Sequence, residues 1–137
     1  MNVGMNIAEN SQTALENAYS LAKKLNKSTV SVEYILYGLA SVENCVASRI
    51  LKKYEVTARK FLQSIKLRGG MVDSMPSGML DFSPASKSTV QLAAQIAYRN
   101  NSNCLYTEHL LRAVLENRMG VTNQILVEDF NVDVEHM

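Results

Sequence analysis

The sequence has little of several features that mark specialised protein classes. Only two of its 137 residues are proline, and its apolar runs are a few residues long, too short to span a bilayer. Lys and Arg number 14 against 13 Asp and Glu. This near balance argues against nucleic-acid and anionic-membrane partners, which usually require a basic excess. The first ten residues lack the basic-then-apolar order of a signal peptide, so we expect a cytoplasmic globular domain.

Residues that carry catalysis or bind metals are also sparse. Cys45 and Cys104 form no C-x-x-C pair, and His109 and His136 have no cysteine or carboxylate at metal-ligand spacing. The glycines at 69–70 are not followed by the Lys-Ser/Thr of a phosphate-binding loop, and no serine lies in a G-x-S-x-G turn. The sequence therefore predicts a protein that is not an enzyme, with no metal and no cofactor, and with free thiols rather than a disulfide.

What the sequence does contain is an internal duplication. Residues 7–51 align without a gap with residues 82–126, at an offset of 75. Nine of the 45 aligned positions are identical: Ser11/Ser86, Ala18/Ala93, Ala22/Ala97, Asn26/Asn101, Glu33/Glu108, Leu36/Leu111, Val46/Val121, Ile50/Ile125 and Leu51/Leu126. The matches fall at helical spacing, which indicates a tandem repeat of one helical unit.

Each copy is predicted to begin with an amphipathic helix. Apolar residues over 14–25 recur every three or four positions, and 90–97 carry the same stripe. Alanines on the stripe indicate close approach of a second helix. Ser83 followed by Pro84 is a favourable helix start, because serine caps the first amides and proline tolerates the first turn.

Further helices follow in each copy. The pattern predicts second helices at Val32–Ser41 and Thr107–Glu116, and a fourth helix of the first copy at 57–67. The third helices are predicted to carry two equivalent apolar faces: Val46, Ile50 and Leu51 in the first copy, and Val121, Ile125 and Leu126 in the second. Strand signals are nearly absent, so the predicted fold class is all-α.

The predicted organisation is a single domain over residues 1–137. Repeat one covers 5–67, a linker rich in glycine, serine and methionine covers 68–80, and repeat two covers 81–137. The fourth helix of repeat two has room for about one turn, which is not stable alone. Either the chain is a fragment of a longer protein, or the second repeat folds with three helices.

Two equivalent carboxylates form a candidate binding pair. Glu33 and Glu108 each stand at the N-terminus of the second helix of their copy. A carboxylate there gains about 0.3–1 kcal/mol from the helix dipole, so its repetition can simply reflect duplication of the helix. Alternatively, the free amides accept an anion while the carboxylate accepts a guanidinium. The residues alone favour the structural interpretation and leave the binding one open.

The paired motifs resemble a known family. An A-x-x-x-A helix, a short polar loop, a T-E-H-[IL]-L-x-x-L motif and a helix ending in I-L, all present twice, resemble the N-terminal domain of Clp-type AAA+ unfoldases, of the ClpC kind. Residues 107–111 read T-E-H-L-L, and residues 32–36 read V-E-Y-I-L, a drifted copy. The resemblance implies a pseudo-twofold bundle of two tandem four-helix Clp repeats, about eight helices with the last one short.

The resemblance also implies a function. Such domains recruit protein substrates and adaptor proteins for an attached ATP-driven ring that works with the ClpP protease, and the isolated domain is expected to be a monomer without nucleic-acid or membrane partners. The alternative is a free-standing Clp-repeat protein that acts as an adaptor or competitor without an ATPase. An unrelated helical-repeat enzyme is disfavoured because the catalytic residues are missing.

In relatives of this kind each repeat can hold a phosphorylated arginine, through the motif glutamate and a threonine near the start of the first helix. By position this carries over to Glu108 with Ser83, beside Thr107, in the second copy, and to Glu33 with Ala8 in the first. Ser83 keeps a hydroxyl, whereas Ala8 has none. We therefore expect phosphoarginine binding to be weak or absent in the first copy and possible in the second.

The adaptor and its docking surface are not identified by the sequence. Tyr37 and the linker methionines Met71, Met75 and Met79 are candidates for such a surface, although scattered apolar residues of this kind more often have no function.

Overall fold

The computed structural model describes residues 4–69, 80–116 and 120–136. These ranges form seven α-helices: α1 (Glu9–Lys24), α2 (Val32–Ser41), α3 (Val46–Lys53), α4 (Ala58–Gly69), α5 (Pro84–Arg99), α6 (Thr107–Glu116) and α7 (Val121–Glu128). A 3₁₀ turn, Val134–His136, follows α7. Helices α5, α6 and α7 each begin 75 residues after α1, α2 and α3. The predicted all-α fold and its duplicated helices are confirmed, and the eighth helix is short, as expected.

Helices α1 and α2 approach closely through small residues. Ala14, Ala18 and Ala22 of α1 are fully buried. A Cβ added to Gly38 of α2 would overlap the carbonyl oxygen of Ala14 and lie 2.9 Å from its carbonyl carbon. The predicted alanine stripe is therefore a contact face, and Gly38 is required for the backbones to come this close.

Helices α5 and α6 form the corresponding pair in repeat two. Ala93 and Ala97 are fully buried, and the position equivalent to Gly38 is Ala113, which is also buried. This second interface therefore accommodates a methyl group that the first cannot. Helix α5 starts as predicted, since Ser83 Oγ accepts a hydrogen bond from the Ser86 amide at 3.1 Å and proline is the first helical residue.

Helices α1 and α5 end in the same way. Asn26 (φ 55°) and Asn101 (φ 60°) adopt left-handed backbone conformations, which asparagine tolerates better than most residues. The Lys27 amide then donates to the Ala22 carbonyl at 3.0 Å, and the second copy repeats this bond. These identical asparagines stop the helices and turn the chain toward the start of α2 and of α6.

Four two-residue strands join the copies in reciprocal pairs. Strand β1 (Asn6–Ile7) pairs in parallel with β4 (Cys104–Leu105), and β2 (Thr29–Val30) pairs in parallel with β3 (Asp81–Phe82). The strand that opens each repeat thus pairs with the strand that precedes the second helix of the other repeat. This exchange is the reciprocal contact that a twofold relationship produces.

The third helices contain the predicted apolar faces, but these faces are only partly buried. Leu51, Ile125 and Leu126 are fully buried, whereas Val46 and Val121 are 40% and 47% exposed. Both valines are the first residue of their helix, where the side chain lies at the edge of the core. Each predicted apolar face therefore has one exposed end.

The last helix of repeat one extends beyond its predicted end. The predicted fourth helix is α4, and it continues through Gly69, two residues into the predicted linker. Met71, Met75 and Met79 lie outside the described residues. In repeat two the 3₁₀ turn occupies the place of α4, and it is anchored by the buried side chains of Val132 and Val134.

Candidate functional site

The described residues offer no metal centre and no membrane span. In ranges 4–69, 80–116 and 120–136, no three His, Cys, Asp or Glu side chains are grouped so as to hold a metal ion. No helix among them is long and apolar enough to cross a membrane. Cys45 and Cys104 are free thiols, as predicted, and the buried Cys45 serves as the N-cap of α3. The candidate site residues that remain are the two motif glutamates, Glu33 and Glu108.

Glu33 lies half-buried in the first turn of α2. Its carboxylate accepts hydrogen bonds from its own backbone amide and from the Ser31 hydroxyl, and Lys27 lies close enough to act on it electrostatically. Burial nevertheless dominates and raises the pKa of Glu33 above its ordinary value of 4.5. The first copy thus holds a carboxylate that a cationic partner would stabilise further.

A cavity of about 350 Å³ is lined by Glu33 and by both repeats. The loop over 27–31 and the first turn of α2 contribute from repeat one, together with Ile65 and Arg68 of α4. Val121 and Ile125 of α7 contribute from repeat two. The exposed part of the Val121 side chain forms part of the cavity wall. The volume of the cavity is in the range of small-ligand sites.

The cavity carries both signs of charge. Its cations are Lys27 and Arg68, and its carboxylate is Glu33. The Arg68 guanidinium forms a fork on Asp129, with Nη2 at 2.8 Å from Oδ1 and Nε at 3.2 Å from Oδ2. A longer contact of 3.4 Å joins Nη2 to Glu128. The hydrogen bonds of the fork raise the pKa of Arg68 and lower the pKa of Asp129, so both groups stay charged.

Glu108 has the equivalent place in α6 and is also half-buried, but its surroundings differ. His109 Nδ1 accepts a hydrogen bond from the Tyr106 amide at 3.0 Å, so one amide at the start of α6 already has a partner. Thr107 is buried, and its Oγ1 accepts from the Ala47 amide of α3 at 3.3 Å. Thr107 thus holds the two repeats together, and its role as a ligand contact stays a prediction.

Ser83 lies beside repeat one rather than beside Glu108. Its amide continues the β2–β3 pairing by donating to the Val30 carbonyl at 3.0 Å, three residues before Glu33. Its hydroxyl caps α5, and Ser83 does not line the cavity at Glu33.

Ala8 lies in the reciprocal place. Its amide donates to the Leu105 carbonyl at 3.0 Å, which leads into Thr107 and Glu108. The resemblance pairs each glutamate with the first-helix residue of its own copy, and that pairing stays a prediction. The backbone amide of each first-helix residue bonds to a strand of the other copy, because the short strands pair between the repeats.

The cations of the cavity were not predicted from the sequence. Arg68 fell in the predicted linker, and its fork on Asp129 joins residues far apart in the chain, which no periodicity reveals. One feature of the sequence could have indicated Arg68. If the fourth helix continues to Gly69, Arg68 lies three residues after Ile65 and therefore on the same helix face.

Comparison with known proteins gives a consistent assignment. The family model of the Clp repeat (R) N-terminal domain matches residues 6–129. The chain is 28% identical over 128 residues to the ATP-dependent Clp protease ATP-binding subunit ClpC of Staphylococcus saprophyticus. That match covers 92% of this chain and 15% of the relative, so the chain spans a small part of the length of the curated protein it matches.

Solved structures agree on the fold. The N-terminal domain of the caseinolytic protease-associated chaperone ClpD from Arabidopsis thaliana superposes with a TM-score of 0.76 at 17% identity, covering 96% of this chain and 91% of that one. The N-domain of ClpV from Vibrio cholerae gives a TM-score of 0.76 at 19% identity, covering 96% and 80%. Because the family model matches residues 6–129 of this chain, the chain belongs to the Clp repeat N-terminal domain family.

Proposed function

We propose that the chain is the substrate- and adaptor-binding domain of a Clp ATP-dependent unfoldase, a binding domain rather than an enzyme. Family membership supports this role, because the relative that it matches is the ATP-binding subunit of a Clp protease. In the full-length setting the domain delivers bound proteins to the ATPase ring and the ClpP protease in the cytoplasm. The isolated domain is a monomer.

The finer proposal is that the domain recognises phosphoarginine at the Glu33 cavity. The observation that carries it is one cavity that joins a half-buried carboxylate, two cations and the first turn of a helix. The guanidinium of phosphoarginine donates to Glu33, while its phosphate faces Lys27 and the first amides of α2. Arg68 is the third group that attracts the phosphate, after Lys27 and the first amides of α2. To reach the phosphate, its guanidinium gives up one of its two hydrogen bonds to Asp129.

This assignment reverses the order expected from the sequence, in which Ser83 favoured the second copy. That expectation stays a prediction, but the contacts around Glu108 support it less. The hydroxyl of Thr107 and the amide of Tyr106 already have partners, and the backbone of Ser83 bonds to Val30 of repeat one rather than to the segment before Glu108. We therefore place the stronger site at Glu33.

A titration of free phosphoarginine into the isotope-labelled chain, followed by amide chemical shifts, tests the finer proposal. We expect the largest shifts in residues 27–34 and in the walls from α4 and α7. Glu33→Gln should abolish them and the matched variant Glu108→Gln should keep them. Shifts confined to residues around Glu108 would restore the order expected from the sequence. If neither glutamate shows a shift, the domain does not bind phosphoarginine. The proposed protein-docking role would not be affected by that result.

The free-standing alternative has support in the drifted motif of the first copy, V-E-Y in place of T-E-H. It is tested separately, on the gene. A reading frame that continues beyond Met137 into a phosphate-binding loop assigns the domain to an unfoldase. A stop codon there would assign it to an adaptor or competitor that binds the same partners.

A further inference from the structure

A second surface of the molecule combines apolar and basic side chains. A groove of about 560 Å³ lies between α1 and α4, and it shares no lining residue with the Glu33 cavity. Three of its apolar residues are half-buried and three of its cations are exposed: Leu25, Tyr37 and Leu62, and Lys23, Lys24 and Lys66. The apolar side chains therefore form a floor, and the lysines form a rim around it.

The groove follows from the helix arrangement of repeat one. Helix α2 packs against both α1 and α4, and Tyr37 of α2 lies in the gap between them. The last turn of α1 carries Lys23 and Lys24, and the last turn of α4 carries Lys66. Lysines at helix C-termini are locally favourable because they complement the helix dipole. The three lysines line one groove because α1, α2 and α4 pack together. The stability of each helix alone does not require them to be close to one another.

The rim is a concentration of unbalanced positive charge. None of the described residues that line the groove is acidic. In the part of the chain that the structure describes, the ion pairs involve Arg68, Lys87 and Arg112, and none involves a lysine of the rim. The whole chain has a formal charge of only +1, so this cluster does not reflect a generally basic protein. Such a cluster attracts anionic groups over roughly a Debye length, about 8–10 Å.

Duplication of the fold does not explain the rim either. In repeat two the positions of Lys23 and Lys24 are taken by Tyr98 and Arg99. The adjacent lysines Lys23 and Lys24 are therefore specific to repeat one.

We propose that this groove docks an acidic amphipathic segment of a partner protein. The carboxylates of the segment lie on the lysine rim, and its apolar side chains pack on Leu25, Tyr37 and Leu62. Exposed ion pairs are individually weak, so the floor supplies much of the affinity while the rim selects the sign of charge and speeds the encounter. The inference rests on the proposed protein-docking role and is independent of phosphoarginine.

The floor distinguishes this partner from a nucleic acid. Single-stranded nucleic acids bind through several phosphate contacts and through bases stacked on exposed aromatic rings. Among the described residues, the groove is lined by three lysines, by no arginine, and by one aromatic ring that is half-buried beside leucines. An amphipathic peptide uses both the aliphatic floor and the lysines.

A labelled peptide with Glu and Leu at amphipathic-helix spacing tests the proposal by fluorescence anisotropy at low salt. We expect binding to the wild-type chain, and at least about tenfold weaker binding to Lys24→Glu/Lys66→Glu, since both rim charges are reversed. The matched control is Lys52→Glu/Lys53→Glu, which makes the same charge change on exposed lysines of α3 and should change binding less than about twofold. Circular dichroism verifies that both variants fold.

Several results would overturn the proposal. One is that the peptide does not bind the wild-type chain, and another is that the two double variants lose equal affinity for it. A third is that a peptide with Gln in place of Glu binds equally well, and a fourth is that a single-stranded RNA binds more tightly than the peptide. A wild-type dimer that Lys24→Glu/Lys66→Glu dissociates would assign the groove to a second copy instead. Glu33→Gln separates this inference from the phosphoarginine proposal, because it should leave peptide binding unchanged. Conversely, the Lys24→Glu/Lys66→Glu variant should still bind phosphoarginine.

Discussion

The Ser86 hydroxyl donates a 2.7 Å hydrogen bond to the Val30 carbonyl and so ties α5 to β2 across the two repeats. Ser11 is the identical residue in the first copy and is equally buried, yet its hydroxyl has no partner among the described residues. The same side chain is thus kept in both copies, but it bonds in only one of them.

This difference gives a matched pair of stability measurements. Ser86→Ala removes the buried hydrogen bond to Val30 and the 3.1 Å bond that the Ser86 hydroxyl accepts from Ser83, and should lower the free energy of unfolding by about 1–2 kcal/mol. Ser11→Ala removes a hydroxyl whose burial is uncompensated, so it should cost much less or stabilise the protein slightly. Urea unfolding of both variants measures this. Equal losses, or a larger loss for Ser11→Ala, would show that the two hydroxyls are equivalent after all.

The close approach of α1 and α2 predicts an asymmetric response to a single methyl group. Gly38→Ala should lower the free energy of unfolding by about 3 kcal/mol, because the new Cβ overlaps the backbone of Ala14. The equivalent residue of repeat two is Ala113, and Ala113→Gly should cost about 1 kcal/mol through helix propensity. If Gly38→Ala instead stabilises the protein, as alanine does in an open helix, the close approach is not present in solution.

The contact between Thr107 and the Ala47 amide predicts that a hydroxyl at position 107 is structural. Thr107→Val keeps the shape of the side chain but leaves the buried amide without its acceptor, and should lower the free energy of unfolding by about 1–2 kcal/mol. Thr107→Ser keeps the hydroxyl and should be less harmful. Thermal unfolding distinguishes the two. A valine variant as stable as the wild-type protein would free Thr107 for the ligand role that the sequence suggested.

The pKa of Glu33 predicts how pH acts on stability. Burial raises this pKa above 4.5 in the folded protein, so the stability given by the protonated form is present below pH 4.5 and is lost as pH rises through the folded-state pKa. Glu33→Gln does not titrate. The free energy of unfolding of this variant, relative to that of the wild-type protein, should therefore rise as pH increases past 4.5. The difference should become constant above the folded-state pKa of Glu33.

Asp129→Asn is the control with the opposite sign. The fork from Arg68 lowers the pKa of Asp129 below 3.8, so the stability that this carboxylate contributes is present above pH 3.8 and is lost as pH falls through the folded-state pKa. The stability of the variant relative to the wild-type protein should fall as pH rises. Chemical unfolding of the three proteins across pH 3 to 7 gives both trends, and parallel curves would contradict both assignments.

The helical frame could be predicted from the sequence because it follows from local pattern. The alanine stripe of α1, the Ser83-Pro84 start of α5 and the bounds of α2 and α6 all depend on residues within a few positions of one another. The 75-residue offset then extended each conclusion to the other copy. These parts of the fold are confirmed.

The site could be predicted only in part, because it depends on long-range pairing. Glu33 was identified from its place in a helix, but the exchange of strands moves Ser83 to its side of the molecule. Two-residue strands have too little alternation to be read from a sequence. The fork between Arg68 and Asp129 likewise needs the packing of α4 on α7, which no motif encodes.

The most direct test of the central claim is a calorimetric titration of free phosphoarginine into three proteins: the wild-type chain, Glu33→Gln and Glu108→Gln. Each variant keeps the shape of its side chain and removes one negative charge. If the Glu33 cavity is the site, Glu108→Gln binds within about twofold of the wild-type chain and Glu33→Gln binds at least about tenfold more weakly, as expected for the loss of a charge-assisted hydrogen bond. Binding that survives Glu33→Gln and is lost in Glu108→Gln would contradict this claim.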